Sequence, residues 1–371
     1  MHIARLLTTS AAALALLGAC TGEKPSTDAP APDAAASATP AVATAAQTAP
    51  PATFKSETKE FREWTAVCDN VNNCAAFGPA EDDNGFVMVE IAAGPAARAS
   101  VQLASWTLGN GNGPFTASID GQTYTGHNTA TELENSVLSI DRASDQLLRA
   151  LSQGRDMRIH SGKESIPVTL SGAAAAFLWI DERQGRLGTT TALIRKGDKP
   201  ASEVPVAPAP PRLTAAPAIA QTKLPDAASL PKALASMSAV KDCRSEFMPD
   251  SGESASVKRL GHDQLLWEVP CGAGAYNISY AYFITRNDGS TPRQVIFPTA
   301  SSTEDTLVNS SYDPESRTMG AFGKGRGIGD CGRMGVWVWT GETFALKDEI
   351  AMFECMGMSW DIWPSTWKTA S

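Results

Sequence analysis

Ala275-Tyr276-Asn277-Ile278-Ser279-Tyr280-Ala281-Tyr282-Phe283-Ile284 carries large side chains at alternate positions: Tyr276, Ile278, Tyr280, Tyr282 and Ile284. A period of two is the repeat of a strand with one buried face. Aromatic and β-branched residues suit that pleated, half-buried surface. The same reading extends in both directions. Downstream it predicts strands at 293–297, 306–312 and 318–322, then a meander of 335–340, 343–347 and 350–355 around Gly341-Glu342. Upstream it predicts strands at 265–269, 61–68, 74–77, 86–91, 100–108, 115–125 (folded back at Asp120-Gly121), 136–140, 166–170 and 190–195. Helices are few. Ser144 can cap 145–153, Ser171 can cap 172–184 with Gly185 as its stop, and Ser229 with Pro231 can open one reaching 237. The expected class is β-rich α+β: two antiparallel β domains with a few short helices, stapled by disulfides.

Two Pro-rich stretches divide the chain. Residues 21–53 are mostly Ala, Pro, Thr and Ser, with little to bury, and read as a tether. Its 33 residues reach about 100 Å in polyproline II and roughly 30 Å as a flexible coil. The stretch 200–223 holds Pro200, Pro205, Pro208, Pro210, Pro211 and Pro217. It reads as a linker between β-rich domains at 54–199 and 224–371; the alternative is one domain with a Pro-rich crossover packed on its surface.

The N-terminus reads as a secretory signal over 1–19. Arg5 precedes an apolar run from Leu6 to Leu17, too short to span a bilayer comfortably. The run ends in Leu17-Gly18-Ala19-Cys20, a pattern that resembles the bacterial lipobox and implies acylation of Cys20. Several acyl chains, at about 0.8 kcal/mol per buried methylene, would hold the chain on a membrane. Thr21 after the cysteine favours the outer membrane by resemblance to known sorting rules. The other six cysteines, Cys68, Cys74, Cys243, Cys271, Cys331 and Cys355, are an even set suited to an oxidising compartment. Cys68–Cys74 would staple a hairpin end across Asp69-Asn70-Val71-Asn72-Asn73. The remaining four allow three pairings; sequence neighbours favour Cys243–Cys271 and Cys331–Cys355.

Several separated segments together resemble one family. They are Trp64 with Cys68-Asp69-Asn70 and Cys74; Asp181 with Gln184-Gly185-Arg186 and Gly188-Thr189; Trp267 with Cys271; Gly274-Ala275-Tyr276-Asn277; Lys324-Gly325-Arg326-Gly327 with Gly329-Asp330-Cys331-Gly332; and Trp337-Val338-Trp339. This set is similar to the bacterial "domain of unknown function" family numbered 1176, over about 60–370. The segment Trp64 to Cys74 also resembles the invasion-associated locus B proteins. The resemblance implies export and disulfides. It implies no reaction and supplies no catalytic residues.

Three features could carry chemistry. The loop from Gly323 to Gly332 alternates glycines with Lys324, Arg326 and Asp330; its amides could converge on an anion, or it could be a tight bend in which Arg326 pairs with Asp330. It lacks the ending of a Walker loop. Asp181 and Glu182 are adjacent on an expected helix, about 100° apart, which suits capping and ion pairing better than paired acid–base work. Trp337, Trp339, Trp360, Trp363 and Trp367 crowd the C-terminus; they could stack on wall sugars or form a core, with Trp363 and Trp367 the expected exposed pair. The formal net charge is −9, with no basic run, which argues against nucleic acid as a partner. Only His127, His160 and His262 follow the signal, far apart, and neither a Cys-x-x-Cys nor a nucleophile elbow occurs; no metal and no cofactor are expected. The functional expectation is an envelope lipoprotein facing the periplasm, attached to the membrane only through its lipid. It would be a non-enzymatic module binding an envelope protein or cell-wall component. The alternative is a periplasmic hydrolase of wall glycan or peptide, using Asp181, Glu182 or Asp330.

Overall fold

The computed structural model describes residues 55–108, 114–133, 136–246 and 254–370. The signal, Cys20 and the whole tether lie outside them. Strands dominate, all pairing within the sheets is antiparallel, and four short helices accompany them: α1 (Asp145–Gln153), α2 (Ala173–Arg183), α3 (Lys232–Ala235) and α4 (Ser238–Glu246). The bridges are Cys68–Cys74, Cys243–Cys271 and Cys331–Cys355.

The first large sheet has seven strands, in the order Glu57–Phe61, Trp64–Cys68, Cys74–Pro79, Gly85–Ile91, Ser100–Ser105, Ser136–Ile140, His127–Ala130. Pleating sends alternate residues to opposite faces. Trp64, Ala66 and Ala76 meet α2, where Phe177 stands edge-on to Trp64 with ring centroids 5.4 Å apart. A second sheet is the five-stranded set Ser311–Asp313, Thr318–Lys324, Gly332–Trp339, Phe344–Met352, Ser365–Trp367. Its Phe322, Met334, Ile350 and Met352 join the core of the first sheet, followed by Met356, Met358 and Trp363. Its opposite face, carrying Met319, Trp337, Trp339 and Leu346, packs on Leu266, Tyr280, Tyr282 and Ile284 of a third sheet. That third sheet comprises Ser256–Gly261, Gln264–Ala273, Ile278–Thr285 and Arg293–Gln294, with Thr306–Val308 also on Ile278–Thr285. Its outer face, with Leu265, Trp267, Val269 and Phe283, is covered by Leu234 of α3 and Val240 and Cys243 of α4. A four-stranded sheet, Glu164–Val168, Met157–Ser161, Phe115–Ile119, Gln122–Tyr124, adds Phe115, Ile119, Met157 and Ile159 to the first core. The described residues from 55 to 370 form one compact unit.

Local chemistry explains where expectation and structure part. The stretch 190–195 is not a strand: Leu193 and Ile194 donate their amides to the Asp181 carboxylate at 2.6 and 3.1 Å, which bends the chain. Helix α2 starts after Gly172, at φ 115°, not after a Ser171 cap; a Cβ there would lie 1.7 Å from the Phe61 carbonyl oxygen. Tyr276 lies before the strand it was expected to join, because the Gly274 amide donates to the Asn277 carbonyl at 2.7 Å and turns the chain. The expected strand 306–312 divides between two sheets, and 343–355 is one strand, Phe344–Met352, paired across a bulge at Val336/Trp337. The expected helix ending at 237 is α3, and α4 was not anticipated.

Candidate functional site

The glycine-rich loop closes on itself. Asp330 is fully buried and accepts from Arg326 Nε at 2.7 Å, from Arg326 Nη2 at 2.5 Å and from the Gly357 amide at 2.7 Å. These bonds from Asp330 hold the Arg326 guanidinium above its ordinary pKa. The neighbouring Cys331–Cys355 bridge fixes the same junction. Asp330, Cys331 and Cys355 offer atoms within 4.8 Å of one another, but both sulfurs are spent on the disulfide and neither is a thiolate. Of the three loop residues singled out in the sequence, Arg326 and Asp330 therefore hold the loop's shape. Lys324 is placed differently: its ammonium lies 5.5 Å from the centre of the Phe322 ring and it borders a cleft.

That cleft is about 570 Å³ and opens where the second and third sheets part. Farther along the same face, Trp337 and Trp339 fill the space between them. At the cleft the floor shrinks to Ala321, Gly323 and Gly335. Gly335 leaves room for the Trp337 ring, which a Cβ would meet at 2.4 Å. Gly323 leaves the room open: the nearest atom to a Cβ there is Val308 Cβ at 3.7 Å. Thr303 to Val308 form one wall, and Phe353, 68% exposed, stands on the rim. Arg333 rises beside the floor and pairs with Glu304 on the wall. Burial lowers the Arg333 pKa, and the charge of Glu349 opposes that shift. Glu349 itself is buried, accepting from Thr366 Oγ1 at 2.7 Å and from the Ala300 amide at 3.3 Å.

The strand edge next to the floor is sealed by side chains. Asn277 Nδ2 donates to the Lys324 carbonyl at 2.8 Å while its Oδ1 accepts from the Lys324 amide at 3.3 Å, as a neighbouring strand would. Asn309 Nδ2 donates to the Phe322 carbonyl at 3.0 Å. Sequence reading missed Arg333, Glu304 and Phe353; the available signal was a strand in which glycine replaces bulk two positions before Trp337.

The other singled-out residues serve the fold. Trp363 is 5% exposed, so it is no surface stacker: it packs on Phe322 and donates to the Met358 carbonyl at 2.8 Å. Trp367 is half-buried and donates to the Leu346 carbonyl at 3.2 Å. Asp181 is fully buried on the amides of 193–195; burial raises its pKa, against the pull of those amides and of Arg186. Arg186 is also buried and donates to the carbonyls of Ala92 and Gly94 at 2.9 and 2.8 Å. Asp181, Glu182 and Asp330 do not line the cleft. Ser118 and His160 do meet, at 2.7 Å, across adjacent strands of the four-stranded sheet; neither lines this cleft.

A β-rich chain with three disulfides and an inter-sheet cleft defines the class. The chain belongs to the family of proteins of unknown function called DUF1176, whose model matches residues 58–370. It is 29% identical over 336 residues to the uncharacterized protein YpfG of Escherichia coli (strain K12), covering 84% of this chain and 92% of that relative. The crystal structure of invasion associated protein B from Bartonella henselae aligns with 35% of this chain and 99% of its own, at 15% identity and a TM-score of 0.29.

Proposed function

We propose that this protein is an exported, lipid-anchored binding module of the cell envelope, facing the periplasm, whose ligand occupies the cleft between the second and third sheets. The observation that carries the reading is the floor at Ala321 and Gly323: a sheet face lined elsewhere by tryptophan is left bare there, with the Trp337 ring over neighbouring Gly335 and an exposed Phe353 on the rim. Ligand sites are concave, with a few fixed polar groups among apolar ones, and Arg333, Glu304 and Lys324 are such groups here. Export is supported by the apolar run before Cys20 and by six paired cysteines, which persist in oxidising compartments. No helix among the described residues is long and apolar enough to cross a membrane. Attachment then rests on Cys20, with the 33-residue tether giving the body reach.

The test uses residues 21–371 made behind a cleavable export signal, so that disulfides form, and immobilised against envelope extract. Gly323→Leu fills the open floor without a backbone clash. The expected result is a retained wall or envelope component that Gly323→Leu loses. Equal recovery by both proteins would remove the cleft from the account. For attachment, mass spectrometry of the native protein is expected to find an acylated Cys20 as its first residue; an unmodified N-terminus would mean secretion without a lipid.

A further inference from the structure

We infer that the cleft takes a saccharide chain, an uncharged, hydroxyl-rich segment; this rests on the cleft being the binding site. Charge is the first ground. Arg333 and Glu304 neutralise each other, and their side chains are 23% and 31% exposed, so both planar groups stay within reach. Lys324 and Asp305 complete the lining, so two cations face two carboxylates and the cleft has no net formal charge to attract an ion of either sign; a charged ligand that displaced one member of the partly buried pair would lose its main partner. Hydroxyl groups need no such displacement. A guanidinium has five donors and a carboxylate about four acceptor positions, more than the pair uses on itself. Thr303 and Thr306 add hydroxyls on the same wall.

Shape is the second ground. Ala321 and Gly323 make a flat floor of backbone and methyl, continued by the Trp337 ring over Gly335, against which the C–H face of a sugar ring can lie. Phe353 offers a ring at the rim for a second sugar unit.

The third ground separates a sugar from an extended peptide. A peptide gains most by adding main-chain hydrogen bonds to an open strand edge. Here Asn277 and Asn309 occupy the edge of the floor strand Thr318–Lys324 at Phe322 and Lys324. The floor's own backbone is already paired, Gly323 with Arg333 and Ala321 with Gly335.

The experiment is calorimetric titration of residues 21–371, exported and oxidised, with chitotetraose, maltotetraose and a muramidase digest of peptidoglycan, beside one acidic and one basic tetrapeptide. At least one saccharide is expected to bind. Phe353→Ala, an exposed site whose loss does not disturb the core, is expected to weaken that binding about fivefold to tenfold, the size of one aromatic contact. Gly323→Leu is expected to abolish it. If no saccharide binds, or if binding ignores both variants, the inference is wrong. If a tetrapeptide binds and Gly323→Leu blocks it, the saccharide falls while the cleft survives as a site.

Discussion

Asp181 shows how a residue that looks chemical can be architectural. Its carboxylate holds three successive amides at 193–195 and so shapes a bend where a strand would otherwise form. Asp181→Ala leaves those amides without their acceptor and is expected to cost about 3 kcal/mol or more in urea unfolding; a loss under about 1 kcal/mol would contradict this role. Glu90 makes a second prediction, through pH. It lies between Ala75 and Ser100 on the first sheet, and burial raises its pKa above the ordinary 4.5, against the charge of Lys368. A carboxyl raised on folding adds stability that is complete below its unfolded value and is lost as pH rises through its folded value. Glu90→Gln should therefore be more stable than the native chain at pH 7, with the gap closing toward pH 4. Equal urea midpoints at pH 7 would refute it. At this scale the disulfide pairings and the Arg326–Asp330 pair were legible, because sequence neighbours and opposite charges four apart find each other. Trp363 was not, since spacing alone cannot tell an exposed aromatic from one buried against a distant sheet.

Elements were legible where local signals agree with tertiary packing. Helix α1 starts where its cap says: Ser144 Oγ accepts from the Leu147 amide at 3.1 Å, and Leu147, Leu148 and Leu151 face the core. Helix α4 escaped because its period is interrupted by polar residues and its place is set by the Cys243–Cys271 bridge and by Leu265 and Trp267 beneath it. The segment after Phe344–Met352 matters most. Met356 and Met358 come from the far end of the chain yet are buried in the core of the first sheet. Met358→Ala is expected to destabilise the fold by about 2–5 kcal/mol, and a mild effect would mean that this segment only rests on the surface. The Cys331–Cys355 bridge closes a loop of sequence separation 24. Replacing both cysteines by alanine should cost about 3.5 kcal/mol on the chain-entropy relation. Unfolding midpoints of the native and double-alanine proteins, both oxidised, would measure it, and no difference would show that the clamp adds nothing to stability.

For the whole molecule, β-rich class and antiparallel pairing were legible from alternation alone, because pleating writes itself into the sequence. The stacking of the sheets was not. The second sheet has two apolar faces, and alternation cannot say which neighbour each face meets: Phe322 and Met334 turn to the first core, Met319 and Trp337 to the third sheet. The cleft is a product of that stacking, so it too was hidden: the sequence marks Lys324, the loop glycines and Trp337 on its border, but not Arg333, Glu304 or Phe353. Hydrogen exchange read by mass spectrometry tests the central claim most directly. Residues 21–371 would be compared with and without the fraction of envelope material they retain. The account predicts slowed exchange in 303–308 and 321–335, present in the native chain and absent in Gly323→Leu. Protection confined to other segments, or protection at the cleft that survives Gly323→Leu, would contradict it.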